Sequence, residues 1–167
     1  MFVCRCVLRF ACLCLAVSLT PAALGQSPDQ ARKAIQERYN RENAAFAKNE
    51  GTVYFTDLAP TFVHVSTKGV QTNNKEMQKA IAELLAVARS INTKTVIQKL
   101  KLKPHVAVVI FEQHTECRVI DPKANTSSSL IQDIVGEDTW TESANGWRRT
   151  RTKELSNTIK APTEPAK

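Results

Sequence analysis

Apolar residues recur at helical spacing in the first half of the chain and at a period of two in the second. Ala31, Ile35, Tyr39 and Phe46 form the first helical stripe. It opens at Ser27-Pro28-Asp29-Gln30, where Ser27 suits an N-cap, Pro28 the first helical position and Gln30 the return arm of a capping box. The pattern predicts a helix to about Asn49, ended by Gly51. Thr52–Ala59 predicts one or two more helical turns, stopped by Pro60. Thr61–Ser66 reads as a short strand and Lys68-Gly69 as a turn. Asn73, with Glu76 three residues on, caps a third helix whose stripe is Met77, Ile81, Leu84, Leu85 and Ala88.

From Ile91 the period switches. Val96, Gln98, Leu100 and Leu102 alternate with Ile97, Lys99, Lys101 and Lys103. Pro104 separates this strand from a long one, His105–Ile120. Asp121–Ser129 reads as a polar loop holding a glycosylation-type Asn125-Thr126-Ser127, meaningful only in a eukaryotic secretory host. Leu130–Ser143 and Trp147–Leu155 are the last two strands, joined by the hairpin signal Asn145-Gly146. The tail from Thr158 carries Pro162 and Pro165 and reads as disordered. Helices come first and antiparallel strands last, the order of an α+β domain with helices on one face of a bent sheet. The main core is expected between the third helix and the sheet, from Met77, Ile81, Leu84, Leu85, Val96, Leu100, Leu102, Val109 and Phe111.

Residues 1–25 carry a different message. Arg5 and Arg9 give a positive start, residues 10–19 a short apolar run, Pro21 a break, and Ala23-Leu24-Gly25 small residues for a peptidase. This is the pattern of a cleavable secretory signal, so the mature chain is expected to begin near Gln26, as one domain over residues 26–157, secreted or periplasmic. A run of ten is too short to span a bilayer, which needs roughly 20 residues; no stable membrane anchor is expected after cleavage. Four of the five cysteines leave with this segment, so Cys117 has no intramolecular partner. The net charge of +7 loses Arg5 and Arg9 and becomes +5 (7 − 2), a mild basicity that makes no case for nucleic acid.

A two-residue Asn145-Gly146 turn would set Glu142 opposite Arg149, Trp140 opposite Arg151 and Asp138 opposite Lys153. Those pairs, with Glu112, His114, Glu116, Arg118 and the row Lys99, Lys101 and Lys103, are expected on one charged outer face. The inner face then carries Val109, Phe111, Gln113, Thr115, Cys117, Glu137, Thr139, Thr141, Thr150 and Thr152. A longer turn shifts this pairing, and a bulge would move Trp140 inward. The three histidines have no metal-ligand spacing, and there is neither a glycine-rich phosphate loop nor a G-x-S-x-G elbow. No metal or cofactor is expected.

The run YNRENAAFAKNE…LAPTFVHVSTKG, the helix NNKEMQKAIAELLAVA and the ending DTWTESANGWRR resemble a SnoaL-like domain of the nuclear transport factor 2 superfamily, over about residues 28–156. The resemblance implies a cystatin-like cone, with three N-terminal helices packed on a bent, mainly antiparallel sheet. It also implies an inner pocket, lined by Tyr39, Phe62, Ser66, Phe111, Gln113 and Thr139. Such folds host many chemistries, so function rests on the site.

The ketosteroid isomerases of this superfamily use a tyrosine donor, an aspartate base ending the first strand and a protonated aspartate on a later strand. By resemblance these positions fall near Glu42, Ser66, and Glu137 or Asp138. Serine at 66 removes that base. His64, on the same side of its strand, is the alternative base, with Glu42 or Glu137 as its carboxylate. Two readings follow: a non-catalytic module whose pocket binds a small molecule, or a small lyase, isomerase or hydrolase using His64. A third is an accessory module that docks on another exported protein. A homodimer through the outer sheet face is expected from the resemblance, with Trp140 as its aromatic anchor.

Overall fold

The computed structural model describes residues 26–121 and 126–160; the signal-like segment, Asn125 and residues 161–167 lie outside them. The capping box at Ser27 forms as read, with Ser27 Oγ accepting from the Gln30 amide, and launches α1, Pro28–Ala47. A five-residue helix α2, Thr52–Thr56, follows. Strand β1, Leu58–Val65, begins two residues before Pro60. Its pairing is irregular between Leu58 and Val63, which is where a residue without an N–H can be accommodated. Gly69, with φ at 78°, turns the chain into a short strand β2, Gln71–Asn73, that the pattern does not show. The Asn73–Glu76 capping box then opens α3, Asn74–Val87. Four long strands complete the chain: β3 Ala88–Lys103, β4 Val106–Asp121, β5 Thr126–Ser143 and β6 Gly146–Lys160.

The six strands form one sheet in the order β2-β1-β6-β5-β4-β3. Every pairing is antiparallel except β1 with β6. The expected polar loop at Asp121–Ser129 is shorter than read, because Ser127, Ser128 and Ser129 continue the ladder against Ile120, Val119 and Arg118. Likewise β6 runs to Lys160 rather than ending at Leu155, so residues 158–160 are strand.

The core lies under α1, not under α3. Ala31, Ile35 and Tyr39 of α1 pack on Ile97, Ala107, Val109, Phe111, Trp140 and Trp147 of the sheet. No residue of α3 is buried, and Leu84 is 39% exposed. Val96 also leaves the expected core, because a bulge between Ile97 and Lys99 reverses the alternation: Ile97 is buried and Val96 faces out, while Leu100 and Leu102 beyond it face in. Helix α1 also tends the free edge at β3. Gln36 donates to the Thr95 carbonyl at 2.8 Å and accepts from the Ile97 amide at 3.1 Å, and Arg32 donates to the Ile97 carbonyl. Those backbone groups would otherwise invite pairing with another chain.

Candidate functional site

Helix α1 carries Tyr39, Glu42, Asn43 and Phe46 on one face, at i, i+3, i+4 and i+7. Strand β6 lies beneath. Its inward residues are Trp147 and Arg149, then Thr152 and Glu154. The parity changes because β6 holds an extra residue, Thr150, where Trp140 pairs with Arg149 but Thr139 pairs with Arg151. The turn itself differs from the expected one. Ser143 pairs with Gly146, whose φ of 87° suits glycine, so Ala144 and Asn145 form the loop. Arg38 of α1 reaches this turn, donating to the Asn145 carbonyl at 3.4 Å.

The register of β5 with β4, rather than the turn, reverses the expected faces of β5. Asp138 and Trp140 are fully buried and Arg149 is 5% exposed, whereas Glu137 and Thr139 point to the other side. Trp140 therefore cannot anchor an outer-face dimer, and Glu137 cannot serve His64. The physical reason is simple: directly opposed residues share a face, and inward Val109 and Ala107 sit opposite Asp138 and Trp140.

The buried polar groups form one network. Arg149 Nη2 donates to both oxygens of Glu42 at 2.6 Å, and Nη1 donates to Asp138 Oδ2 at 3.2 Å. Tyr39 Oη donates to Asp138 Oδ2 at 2.6 Å, and Thr152 Oγ1 to Asp138 Oδ1 at 2.5 Å. Trp140 Nε1 donates to Tyr39 Oη at 3.3 Å. The guanidinium carbon lies 5.0 Å from the Tyr54 ring centroid and 5.1 Å from that of Trp140, within cation–π range. Arg149 Nε has no partner. Nearby, Arg38 and Arg41 both bind the buried Asp57, whose carbonyl accepts the Arg149 amide.

Burial sets the electrostatics. It pushes the Glu42 carboxyl up to about 7 despite the opposing pull of Arg149. Burial likewise raises Asp138, again against Arg149. Tyr39 is held well above its ordinary range by burial and then by the Asp138 charge, and burial takes Tyr54 up to about 12. Burial alone would lower the Arg149 pKa, but Glu42 and the neighbouring anions hold it well above the ordinary value. Arg149 stays charged, and two buried carboxyls share it.

Beside this network is a cavity of about 210 Å3. Tyr39, Glu42, Phe46, Tyr54 and Arg149 form one side, with Met77 and Ile81 of α3 and His64 of β1 on others. His64 Nε2 lies 3.3 Å from Glu154 Oε1, with side chains 18% and 10% exposed. The structure thus brings together His64, Glu42, Tyr39 and Gln113 as expected. It leaves the others out. Phe62 and Phe111 are buried in the packing, Ser66 sits at the β1 turn where its Oγ accepts the Val70 amide, and Thr139 faces away, its carbonyl accepting Thr150 Oγ1. Glu154, absent from the expected set, was within reach of the pattern, since it shares the parity of Thr152. Among the described residues no three His, Cys, Asp or Glu side chains converge as metal ligands.

No family model matches the chain, and no curated protein matches it. Solved structures do match. A hexachlorocyclohexane dehydrochlorinase (LinA, type 2) superposes with a TM-score of 0.66 at 10% identity, over 81% of this chain and 90% of that one. A proposed dehydratase of the nuclear transport factor 2-like family from Streptomyces avermitilis gives 0.63 at 11% identity, over 78% and 100%. A domain of unknown function with a cystatin-like fold from Nostoc punctiforme gives 0.54 at 13% identity, over 79% and 78%. At such identities the likeness concerns the fold: this chain has the cystatin-like, nuclear transport factor 2-like α+β fold.

Proposed function

We propose that the chain is an exported single-domain protein whose pocket between α1, α3 and the sheet binds a small molecule without transforming it. One observation supports this most directly. The strongest polar groups beside the cavity, Glu42, Arg149, Asp138 and Tyr39, are bonded to one another at 2.6–3.2 Å. Such a wall shapes and polarises a pocket but leaves few of its groups free to react. The residues 1–25 pattern supports export, and the α1 cap begins at Ser27, just past it.

Native mass spectrometry of the protein purified from its host tests the reading. We expect a retained small molecule that Ile81→Trp, which fills the cavity, displaces. An unliganded protein whose pocket amides respond to no small organic probe in NMR titrations would remove it.

A second reading is favoured by the His64–Glu154 contact at 3.3 Å. In it, His64 takes a proton from the ligand while Glu154 orients the ring, as a lyase requires. A dehydrochlorinase and a proposed dehydratase share the fold. This reading expects turnover of the retained molecule, lost in His64→Gln while binding persists.

A further inference from the structure

The sheet face turned away from α1 carries two basic ridges. Lys103, Val106, Thr141 and Arg148 stand opposite one another across β3, β4, β5 and β6. The next row sets Lys101 and Arg151 on either side of Val108 and Thr139, and the one after sets Lys99 and Lys153 on either side of Ile110 and Glu137. Directly opposed residues share a face, so the cations and the floor between them form one surface. The floor aliphatics and Arg148 are half-buried, and the other cations are exposed. Among the described residues no ion pair involves any of these cations. Glu137 is the one carboxylate in the three rows, which leaves an excess of five positive charges (6 − 1). The chain without residues 1–25 has the same net charge, +5 (7 − 2), so its basicity is concentrated here.

Residues two apart on a strand stand about 6.8 Å from each other, and three strand spacings of about 4.8 Å put the ridges about 14 Å apart. Neighbouring cations within a ridge lie inside the screening length of about 8 Å at physiological salt and repel one another, whereas the two ridges are largely screened from each other. An anionic partner relieves that repulsion. An extended acidic peptide matches the spacing, because its side chains alternate left and right and each side repeats at about 6.8 Å, like the cations of a ridge. Other occupants fit less well. The three rows hold no aromatic side chain on which unpaired bases could stack. Val106, Val108 and Ile110 are half-buried between the ridges and are not raised to enter a bilayer. A second copy of the chain brings no free acidic patch from the other end of this face, where Glu116 and Asp133 are bonded to His114 and Glu112 accepts from Gln98.

We propose that this face docks an extended acidic segment of a partner protein, whose carboxylates reach both ridges. The surface is separate from the pocket, and its test is independent of the pocket's.

The test offers the full mature protein octaglutamate, octaglutamine, an oligothymidylate of the same length and vesicles of phosphatidylglycerol. We expect octaglutamate alone to shift the amides of residues 99–103 and 148–153 in NMR titrations. Its affinity should fall at least about tenfold between about 50 mM and about 300 mM salt. The double reversal Lys101→Glu with Arg151→Glu should weaken it at least about tenfold, and Lys101→Gln with Arg151→Gln should weaken it less, supplying the test if the reversal does not fold. Lys68→Glu with Lys75→Glu makes the same change in net charge away from the ridges and should leave binding unchanged. No shift at the ridges overturns the proposal. Equal weakening by the two reversed pairs also overturns it, because the attraction would then belong to the net charge. Oligothymidylate or vesicles bound as tightly as octaglutamate, or a dimer formed through these residues that excludes the peptide, overturns the acidic-peptide assignment.

Discussion

Arg149 on β6 holds Glu42 on α1 through one nitrogen, Nη2, which lies 2.6 Å from each carboxylate oxygen. The contact joins the first helix to the last strand inside the fold, and both side chains are nearly inaccessible. Its pH dependence follows from the Glu42 carboxyl standing at about 7 in the folded state against 4.5 ordinarily. The folded state therefore holds this proton more tightly than the unfolded chain does. The resulting stability is complete below about 4.5 and is lost as pH rises through about 7. The raised Asp138 acts in the same direction. Glu42→Gln cannot titrate and should flatten the profile, checked by urea midpoints at pH 4.5, 6 and 7.5. A variant slope equal to that of the parent would contradict the assignment.

Tyr39→Phe removes the 2.6 Å bond to Asp138 and the acceptor of the buried Trp140 Nε1–H, and leaves the ring packing intact. A buried donor to a carboxylate contributes about 1.5–3 kcal/mol, so a loss in that range is expected. Asp138 keeps Thr152 and Arg149, which should preserve the fold. Equilibrium denaturation measures it; a change below half a kcal/mol would show that the hydroxyl is not engaged there.

Gly136 is needed for space rather than for backbone freedom. A Cβ there would lie 2.5 Å from Phe111 Cζ and 2.7 Å from Cε1. Gly136→Ala should cost about 1–3 kcal/mol by overpacking. Phe111→Leu in the same chain should recover part of that loss, and purely additive losses in the double mutant would refute the steric account.

Ile35→Ala and Leu84→Ala separate the two candidate cores. Ile35 is fully buried and Leu84 is 39% exposed. The first should cost about 2–5 kcal/mol and the second below about 1 kcal/mol. Reversed magnitudes would return the main core to α3.

The helix starts were legible because they are local: Ser27 and Asn73 each carry their partner three residues on. The pocket residues Tyr39, Glu42 and His64 were legible from periodicity and resemblance together. What failed was parity. Asn145-Gly146 invites a turn at those two residues, yet the chain turns one residue earlier, and Thr150 then bulges. The earlier turn slides the pairing by two residues and keeps the faces; the faces of β5 flip in its register with β4, which sets Asp138 opposite Val109, and those of β6 at Thr150, and neither leaves a mark in composition, because Trp140 opposite an arginine is a plausible surface pair as well as a buried one. Burial chose between them: two tryptophans and a tyrosine gain more inside than one Arg–carboxylate cluster costs there. The same reasoning applies to α3, whose stripe is regular but meets only the thin end of the sheet and the pocket.

The single parallel pairing, β1 against β6, has a kinetic consequence. His64 finds Thr152 and Val65 finds Lys153 only when the final strand exists. Until then β1 has only the three-residue β2 beside it, and Glu42 has no guanidinium. Native contacts so distant in sequence make closure late and folding slow, on a scale of milliseconds to seconds for sheet-dominated topologies. The export proposed above would use that delay: a chain whose sheet closes only when β6 is present stays threadable until its last strand has passed.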